Sequence, residues 1–178
     1  MKYKYIIPAI FLVLFAFGAS ADSLNDVVTF NIDSDFDANG KTKVEARLWA
    51  ISDHAYFYVS EKYTEFLSSN DRLILTEQLG ELGKEFEDNI YLKLINFWGS
   101  EPNPGIDNDS HITILITELV DYAGGYYDTT HGFPKEQAEN SNEREMLYVN
   151  SLALENSNKL HEFLAHELSI LSLRTTKS

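Results

Sequence analysis

The hydrophobic positions of the chain follow three successive patterns. Residues 6–17 are apolar without interruption, residues 26–60 alternate between apolar and polar positions in short runs, and from residue 70 apolar positions recur every three or four residues. Alternation is typical of strands with one buried face, and the wider spacing is typical of an amphipathic helix. The alternating part predicts three strands, at 26–33, 43–51 and 54–60. For the helix that follows, we expect the N-cap to be Asn70 or Asp71.

The second half of the chain mixes predicted strands, loops and helices. Residues 111–117 (HITILIT) alternate most regularly, and residues 143–149 (EREMLYV) form another predicted strand. A last helix is predicted to begin at 156–158 and to continue toward the end of the sequence. This mixture predicts an α+β fold. We divide the chain into a predicted leader at 1–21, a small β-meander region at 22–69 and a second unit at 70–178.

The first 21 residues have the three parts of a secretory signal peptide. Lys2 and Lys4 precede the apolar run, which is too short to span a bilayer comfortably, and Ala19-Ser20-Ala21 has the small-x-small pattern of a cleavage site. The alternative is an uncleaved membrane anchor, although no stop-transfer pattern follows. We expect cleavage before Asp22 and export to the medium, periplasm or cell surface, with no membrane association afterwards.

The charge and cysteine content narrow the classes of partner. Two of the 14 lysines and arginines lie in the leader, so the mature chain would carry 12 basic residues against 28 acidic ones. Such an excess of negative charge disfavours binding to nucleic acid or anionic lipid. There is no cysteine, so an exported form would depend on core packing, metal binding or both for its stability.

The last predicted helix contains half of a zinc-binding motif. In His-Glu-x-x-His, the two histidines are one helical turn apart and hold one zinc ion, while the glutamate acts as the general base. Here His166 is the candidate metal ligand and Glu167 the candidate catalytic base. The second histidine position is occupied by Ile170, which cannot bind zinc. Glu162 shares the face of His166, but a pair of solvated neighbours is the simpler interpretation.

Several short motifs between residues 97 and 168 resemble one family in order and spacing. They are Phe97-Trp98-Gly99, Pro104-Gly105-Ile106-Asp107-Asn108-Asp109, the strand at 111–117, Ala123-Gly124-Gly125-Tyr126, residues 141–150 (SNEREMLYVN) and Leu164-Ala165-His166-Glu167. On these motifs the chain resembles the hyicolysin-like family of secreted bacterial zinc metallopeptidases. The resemblance covers roughly half the chain, and its most specific parts are the Pro-Gly-Ile-Asp-Asn-Asp and Ser-Asn-Glu-Arg-Glu segments.

The resemblance implies a zincin-like fold, a Zn²⁺ cofactor and a peptide or protein substrate. This chain also differs from the family after the motif. The family has a third metal ligand beyond the motif, whereas residues 171–178 contain no Glu, Asp or His. We therefore expect the N-terminal lobe of a zincin, truncated within its motif helix, exported but defective in peptide hydrolysis. Two alternatives stay open: a non-catalytic exported module, and a non-functional gene fragment whose Phe163, Leu164 and Leu168 lack packing partners.

A second candidate site lies between the first two predicted strands. From Asp35 the sequence DFDANG fits the first half of a calcium loop, with Asp35, Asp37 and Asn39 as alternating oxygen ligands. The twelfth position of such a loop requires a bidentate glutamate and is occupied by Ala46. The alternative is a β-hairpin that turns at Asn39-Gly40, a strong turn signal in its own right. Ca²⁺ is therefore a candidate cofactor beside the doubtful Zn²⁺.

Overall fold

The computed structural model describes residues 21–98, 104–155 and 157–175, except for the side chains of residues 94, 98, 157–159 and 172–175. The apolar run at 6–17 and the predicted leader as far as residue 20 lie outside this part of the chain. None of the helices in the described residues is both long enough and apolar enough to cross a membrane.

The chain folds around one mixed sheet of six strands. The strands are β1 (Val27–Asn31), β2 (Lys43–Ile51), β3 (Ala55–Ser60), β4 (Ile112–Thr117), β5 (Gly125–Tyr126) and β6 (Met146–Asn150). Their order across the sheet is β1-β2-β3-β4-β6-β5. The first three strands pair in an antiparallel meander, β3, β4 and β6 run parallel to one another, and β5 returns antiparallel to β6 at the edge. The predicted α+β class and the meander are both confirmed.

The described helices lie after the meander, between β5 and β6, and after β6. They are α1 (Glu61–Thr64), α2 (Ser69–Glu85), a π-helical turn (Phe86–Tyr91), α3 (Leu92–Trp98), two short 3₁₀ turns (Thr129–Gly132 and Ser151–Glu155) and α4 (Ser157–Thr175). The expected N-cap of α2 at Asn70 or Asp71 is wrong, because Ser68 caps the helix. Its hydroxyl accepts from the Asp71 N–H, and the Asp71 carboxylate accepts from the Ser68 N–H.

The core has two layers because successive strand residues point to opposite faces of the sheet. On one face, Phe57, Ile114 and Leu147 pack with Leu79 of α2 and Leu164 of α4. On the other face the connections between strands supply Ile32, Phe36 and Leu119, which pack with side chains of the sheet itself. The buried sheet residues on this face include Phe30, Leu48, Tyr58, Leu115 and Tyr148. Because strands β3, β4 and β6 are covered on both faces, every residue in them is buried.

The last helix finds its packing partners within the described residues. Leu164 and Leu168 have no exposed surface, and Leu160 and Leu171 are also buried in the core cluster. The alternative in which the apolar face of this helix lacks packing partners is therefore wrong for Leu164 and Leu168. The sheet and the helices α2 and α3 cover this face.

Two strand boundaries differ from the predictions. The strand predicted at 143–149 begins only at Met146, because Glu143 has a positive φ of 53° and the chain turns there. Strand β5 was not predicted from the sequence. It has two residues, too few for a periodic pattern, and its strand conformation comes from pairing with Val149 and Tyr148 of β6.

Candidate functional site

Helix α4 carries the half-motif and presents its two residues differently. Glu167 is 6% exposed, because it lies on the buried side of the helix near Leu164 and Leu168, whereas His166 points to solvent. Ile170 is half-buried one turn beyond His166, where a second histidine ligand would stand in the motif. The helix therefore presents a solvent-facing imidazole beside a buried carboxylate.

The edge strand comes unusually close to this helix because of two glycines. A Cβ built on Gly124 would overlap the ring of Phe163, and one on Gly125 would lie 3.3 Å from Cγ of Glu167. Phe163 and Glu167 are one turn apart on α4, so the two glycines form the surface that this side of the helix packs against. The Ala-Gly-Gly-Tyr motif thus has a packing role, because its two glycines allow the Glu167 side chain of α4 to pack against β5.

The surroundings of Glu167 alter its acidity. Burial raises the pKa of this carboxyl, and the nearby His166 lowers it by a smaller amount. The Glu167 carboxyl therefore keeps its proton to a higher pH than an exposed glutamate does.

The residues around His166 do not match the requirements of a zinc ion. Catalytic zinc sites use three protein ligands, usually His, Glu, Asp or Cys. In the ranges that the structure describes, no three such side chains lie close enough together to hold one metal ion. Ile170 has no donor atom, and Glu162 is exposed on the outer face of the helix. The helix therefore offers one imidazole beside a buried carboxylate, which is an incomplete set of ligands.

The two most specific motifs of the resemblance meet in the structure. The Glu145 carboxylate packs directly over Gly105, and its Oε1 accepts a 3.3 Å hydrogen bond from the Ile106 N–H. Within the same loop, Asp107 Oδ1 accepts from the Asp109 N–H at 3.0 Å, and Asn108 has a φ of 60°. The Asp-Asn-Asp sequence is therefore an Asx turn, held to the start of β6 by Glu145.

The Arg144 side chain contacts Asp22, which lies far away in the sequence. Its guanidinium pairs with the Asp22 carboxylate, which also accepts a 2.8 Å hydrogen bond from the Tyr58 hydroxyl. Burial lowers the pKa of Arg144, but the Asp22 hydrogen bond and charge, together with smaller contributions from Tyr58 and Asp107, raise it overall, so the guanidinium stays charged. Sequence patterns could not have indicated this pair, because the two residues are 122 positions apart.

Three further histidines, at positions 54, 111 and 131, form hydrogen bonds away from α4. His54 Nδ1 lies 2.6 Å from Glu87 of the π-helical turn, and His111 Nδ1 lies 2.5 Å from Asp109. His131 is buried, with Nε2 2.7 Å from the Tyr148 hydroxyl. These interactions tie loops and turns to strands.

The candidate calcium segment forms the connection between β1 and β2. Oδ1 of the buried Asp37 accepts hydrogen bonds of 2.8 Å from the N–H groups of Asn39 and Lys41, and Gly40 has a φ of 65°. Asp35 and Asn39 are exposed. The prediction of a tight hairpin turn centred on Asn39-Gly40 is wrong, because residues 32–42 connect the two strands and Asn39 does not have the positive φ that such a turn needs. The chain turns instead over residues 37–40, where the Gly40 N–H donates a 3.1 Å hydrogen bond to the Asp37 carbonyl. Calcium binding by Asp35, Asp37 and Asn39 stays a prediction.

Comparison with known proteins adds no relative to these observations. A scan against protein-family models and a search of curated proteins found no match to this chain. The likeness to hyicolysin-like metallopeptidases therefore depends on the motifs themselves and stays a prediction.

Proposed function

We propose that this chain is an exported, zincin-like protein that does not hydrolyse peptide bonds in this form. The observation that carries the proposal is the arrangement on α4: the Glu167 carboxylate is buried against the edge strand beside the exposed His166, while Ile170 stands one turn further on. The position of the general base is preserved, and the set of metal ligands is not.

The chemistry of peptide hydrolysis explains why one preserved carboxylate is insufficient. In zinc peptidases the ion polarises the carbonyl and activates the attacking water, and it needs three protein ligands to stay bound. Here Glu167 could accept a proton, but only His166 beside it matches a ligand position of the motif. We therefore expect no peptidase turnover and little retained zinc.

The test uses the exported protein and the variant Ile170→His. The wild type is expected to contain far less than one zinc ion per chain after dialysis and to show no chelator-sensitive cleavage of unfolded protein substrates. Ile170→His creates a histidine pair at i and i+4 and is expected to bind zinc measurably, with loss of that binding when His166→Ala is added. Ile170→Ala is the matched control. Stoichiometric zinc or chelator-sensitive proteolysis in the wild type would contradict the proposal.

The alternative function is that of a non-catalytic exported module stabilised by calcium. Asp37, Asn39, Glu45 and Glu118 line one surface cleft of 280 Å³ between the first hairpin and the end of β4, together with three lysines. The core packing of Leu164 and Leu168 favours a stable module of this kind over a fragment that cannot fold.

Thermal unfolding in calcium and in chelator separates these alternatives. If calcium binds, the melting temperature of the wild type rises with calcium, and Asp37→Asn loses the response while its amide oxygen still accepts the two turn hydrogen bonds. Asp53→Asn, an exposed substitution outside the cleft, is the control and keeps the response. Identical melting curves in calcium and chelator would exclude the calcium-stabilised module.

A further inference from the structure

His131 is a buried histidine whose proton positions are fixed by its neighbours. It belongs to the 3₁₀ turn Thr129–Gly132 and is 3% exposed. Its Nδ1 accepts a 3.1 Å hydrogen bond from the Asn142 N–H, so this nitrogen carries no proton. The neutral imidazole therefore holds its proton on Nε2, which lies 2.7 Å from the Tyr148 hydroxyl. The ring thus accepts on one side and donates on the other.

The two partners of His131 also hold the end of β1. The Tyr148 hydroxyl donates to the Asn31 carbonyl at 2.7 Å. The Asn142 side chain pairs with both backbone groups of the same residue, because Oδ1 accepts from the Asn31 N–H at 2.8 Å and Nδ2 donates to the Asn31 carbonyl at 2.9 Å. Strand β1 is at the edge of the sheet, so this amide takes the place of a neighbouring strand. Together, His131, Asn142 and Tyr148 form a latch that holds residues 128–144 to β1.

A second proton on His131 would break this latch. Nδ1 would become an N–H donor that faces the N–H donor of Asn142, and neither group would have an acceptor. Asn142 is also tied to the turn that carries the ring, because the Ser141 hydroxyl and the Arg144 N–H both donate to the His131 carbonyl at 3.1 Å. Movement of Asn142 away from the ring therefore strains these contacts and takes its side chain away from Asn31.

The groups on the solvent side of the ring are acidic. The carboxylates of Asp33, Asp128 and Glu139 line a cleft of 470 Å³ that His131 also lines, and Oδ2 of Asp128 lies 3.9 Å from Nε2. Burial lowers the pKa of His131, and the Asp128 charge raises it by a smaller amount. The latch is therefore closed near neutral pH, and the cleft gives protons a path to the ring.

Groups on the other sides of the ring keep their charge state while His131 titrates. On the sheet side Tyr126 stacks on Tyr148, and burial raises the pKa of both phenols, so both stay neutral. The Arg144 guanidinium is directed to the Asp22 carboxylate, with which it forms an ion pair. Protonation in this cluster is therefore centred on the imidazole.

We propose that His131 is an acid-sensitive switch, in which protonation at Nδ1 displaces Asn142 and releases residues 128–144 from β1. The proton comes from solvent through the cleft, and no covalent bond between heavy atoms changes. Because Asn31 and His131 both line the cleft, the release also opens its floor to solvent. The switch gives the protein one conformation near neutral pH and another in an acidic medium. It is independent of zinc and of peptidase activity.

The switch has a defined pH window. The unfolded chain binds a proton at the ordinary histidine pKa of 6.5, whereas the latched protein resists protonation until a lower pH. Below pH 6.5 the ratio of latched to unfolded protein therefore falls by up to about tenfold per pH unit, until the folded pKa is passed. The burial of Glu167 acts in the opposite direction, because it lowers stability as pH rises.

The test compares the wild type with His131→Asn and His161→Asn by urea unfolding between about pH 8 and about pH 5. The asparagine places an amide oxygen near the position of Nδ1, where it still accepts from Asn142 but takes up no proton. His161 lies on α4, which packs on the opposite face of the sheet from Tyr148, and its substitution is the matched control. Hydrogen exchange of the Asn31 and Asn142 amides is measured at each pH.

We expect His131→Asn to be less stable than the wild type at pH 8, with a difference that shrinks as pH falls below 6.5. His161→Asn should run parallel to the wild type. Relative to His131→Asn at the same pH, the wild-type amides of Asn31 and Asn142 should lose protection in acid. A difference in stability that stays constant across the pH range would overturn the proposal.

If His131→Asn fails to fold, the wild type alone decides. The His131 ring and the amide signals of Asn31 and Asn142 are then followed by NMR as pH falls. We expect all three to change together, at a lower pH than the His161 ring. A His131 ring that becomes protonated while both amide signals stay in place would show that no latch is released.

Discussion

The Glu145 carboxylate occupies the space that a side chain at Gly105 would need. Oε2 of Glu145 overlaps the position of a Cβ built on Gly105, and Oε1 of the same group holds the Ile106 N–H at 3.3 Å. The two most specific motifs of the sequence therefore form one contact, in which the first supplies a glycine and the second a buried carboxylate. This contact fixes the loop before β4 to the start of β6.

Gly105→Ala should consequently destabilise the protein. The added methyl group must displace the Glu145 carboxylate from the Ile106 N–H, at an expected cost of about 1–3 kcal/mol in the free energy of unfolding. Urea unfolding followed by tryptophan fluorescence measures the change. Gly80→Ala is the control, because a Cβ at Gly80 meets nothing within 4 Å. It lies inside α2 and should add about 0.5–1 kcal/mol of stability. Equal stability of Gly105→Ala and wild type would show that Glu145 can move freely.

A second prediction concerns the approach of β5 to its neighbours. A Cβ on Gly125 would lie 2.6 Å from the carbonyl oxygen of Tyr148, a backbone atom that cannot rotate away. Gly125→Ala should therefore lower the free energy of unfolding by about 1–3 kcal/mol and increase amide exchange in β5 and β6. Gly132→Ala, where nothing lies within 4 Å of the added Cβ, should leave both unchanged. Unaltered exchange in β5 and β6 for Gly125→Ala would contradict the close packing.

The sequence predicted the features that depend on neighbouring residues and missed those that depend on contacts between residues far apart in the chain. The ends of the meander strands and of β4 were predicted within one or two residues, because period-two alternation is a local pattern. Strand β5 escaped prediction because a two-residue strand has no period of its own. The same limit applied to Asp22, whose partner Arg144 is distant in the chain and is brought close only by the sheet.

Only part of the candidate site was predicted, because helical spacing is a local pattern and the packing around the helix is not. That His166 and Ile170 would share one helix face follows from a spacing of four residues, and α4 has the expected helical conformation there. The burial of Glu167 depends on two glycines more than 40 residues earlier, which no helical pattern can indicate. Tertiary packing therefore determines which of the two motif residues meets solvent.

The third prediction tests the cap of α2. Ser68→Ala removes the hydroxyl that accepts a hydrogen bond from the Asp71 N–H. This is one of the two hydrogen bonds of the capping box, so its loss should cost about 1 kcal/mol of stability. The neighbouring Ser69 is also exposed but belongs to the helix itself, which makes Ser69→Ala the matched control with an expected change near zero. Circular dichroism during thermal unfolding gives both values. If the two variants lost equal stability, the helix would have to begin at another residue.

The fourth prediction follows from the raised pKa of Glu167. In the unfolded chain this carboxyl titrates near its ordinary pKa of 4.5, while burial makes it ionise only at higher pH in the folded protein. Between those two values the folded state binds more protons than the unfolded state, so the free energy of unfolding falls as pH rises through the folded pKa. Glu167→Gln keeps the shape of the side chain and removes the titration.

Glu167→Gln and wild type should therefore have similar melting temperatures at pH values below the unfolded pKa, where both side chains are neutral. Above the folded pKa of Glu167 the variant should melt at the higher temperature, because it no longer buries an ionised carboxylate next to β5. Glu162→Gln, an exposed substitution on the same helix, should follow the wild-type profile. A Glu167→Gln melting temperature that stays parallel to wild type across the whole pH range would mean that the carboxylate remains hydrated in the folded protein.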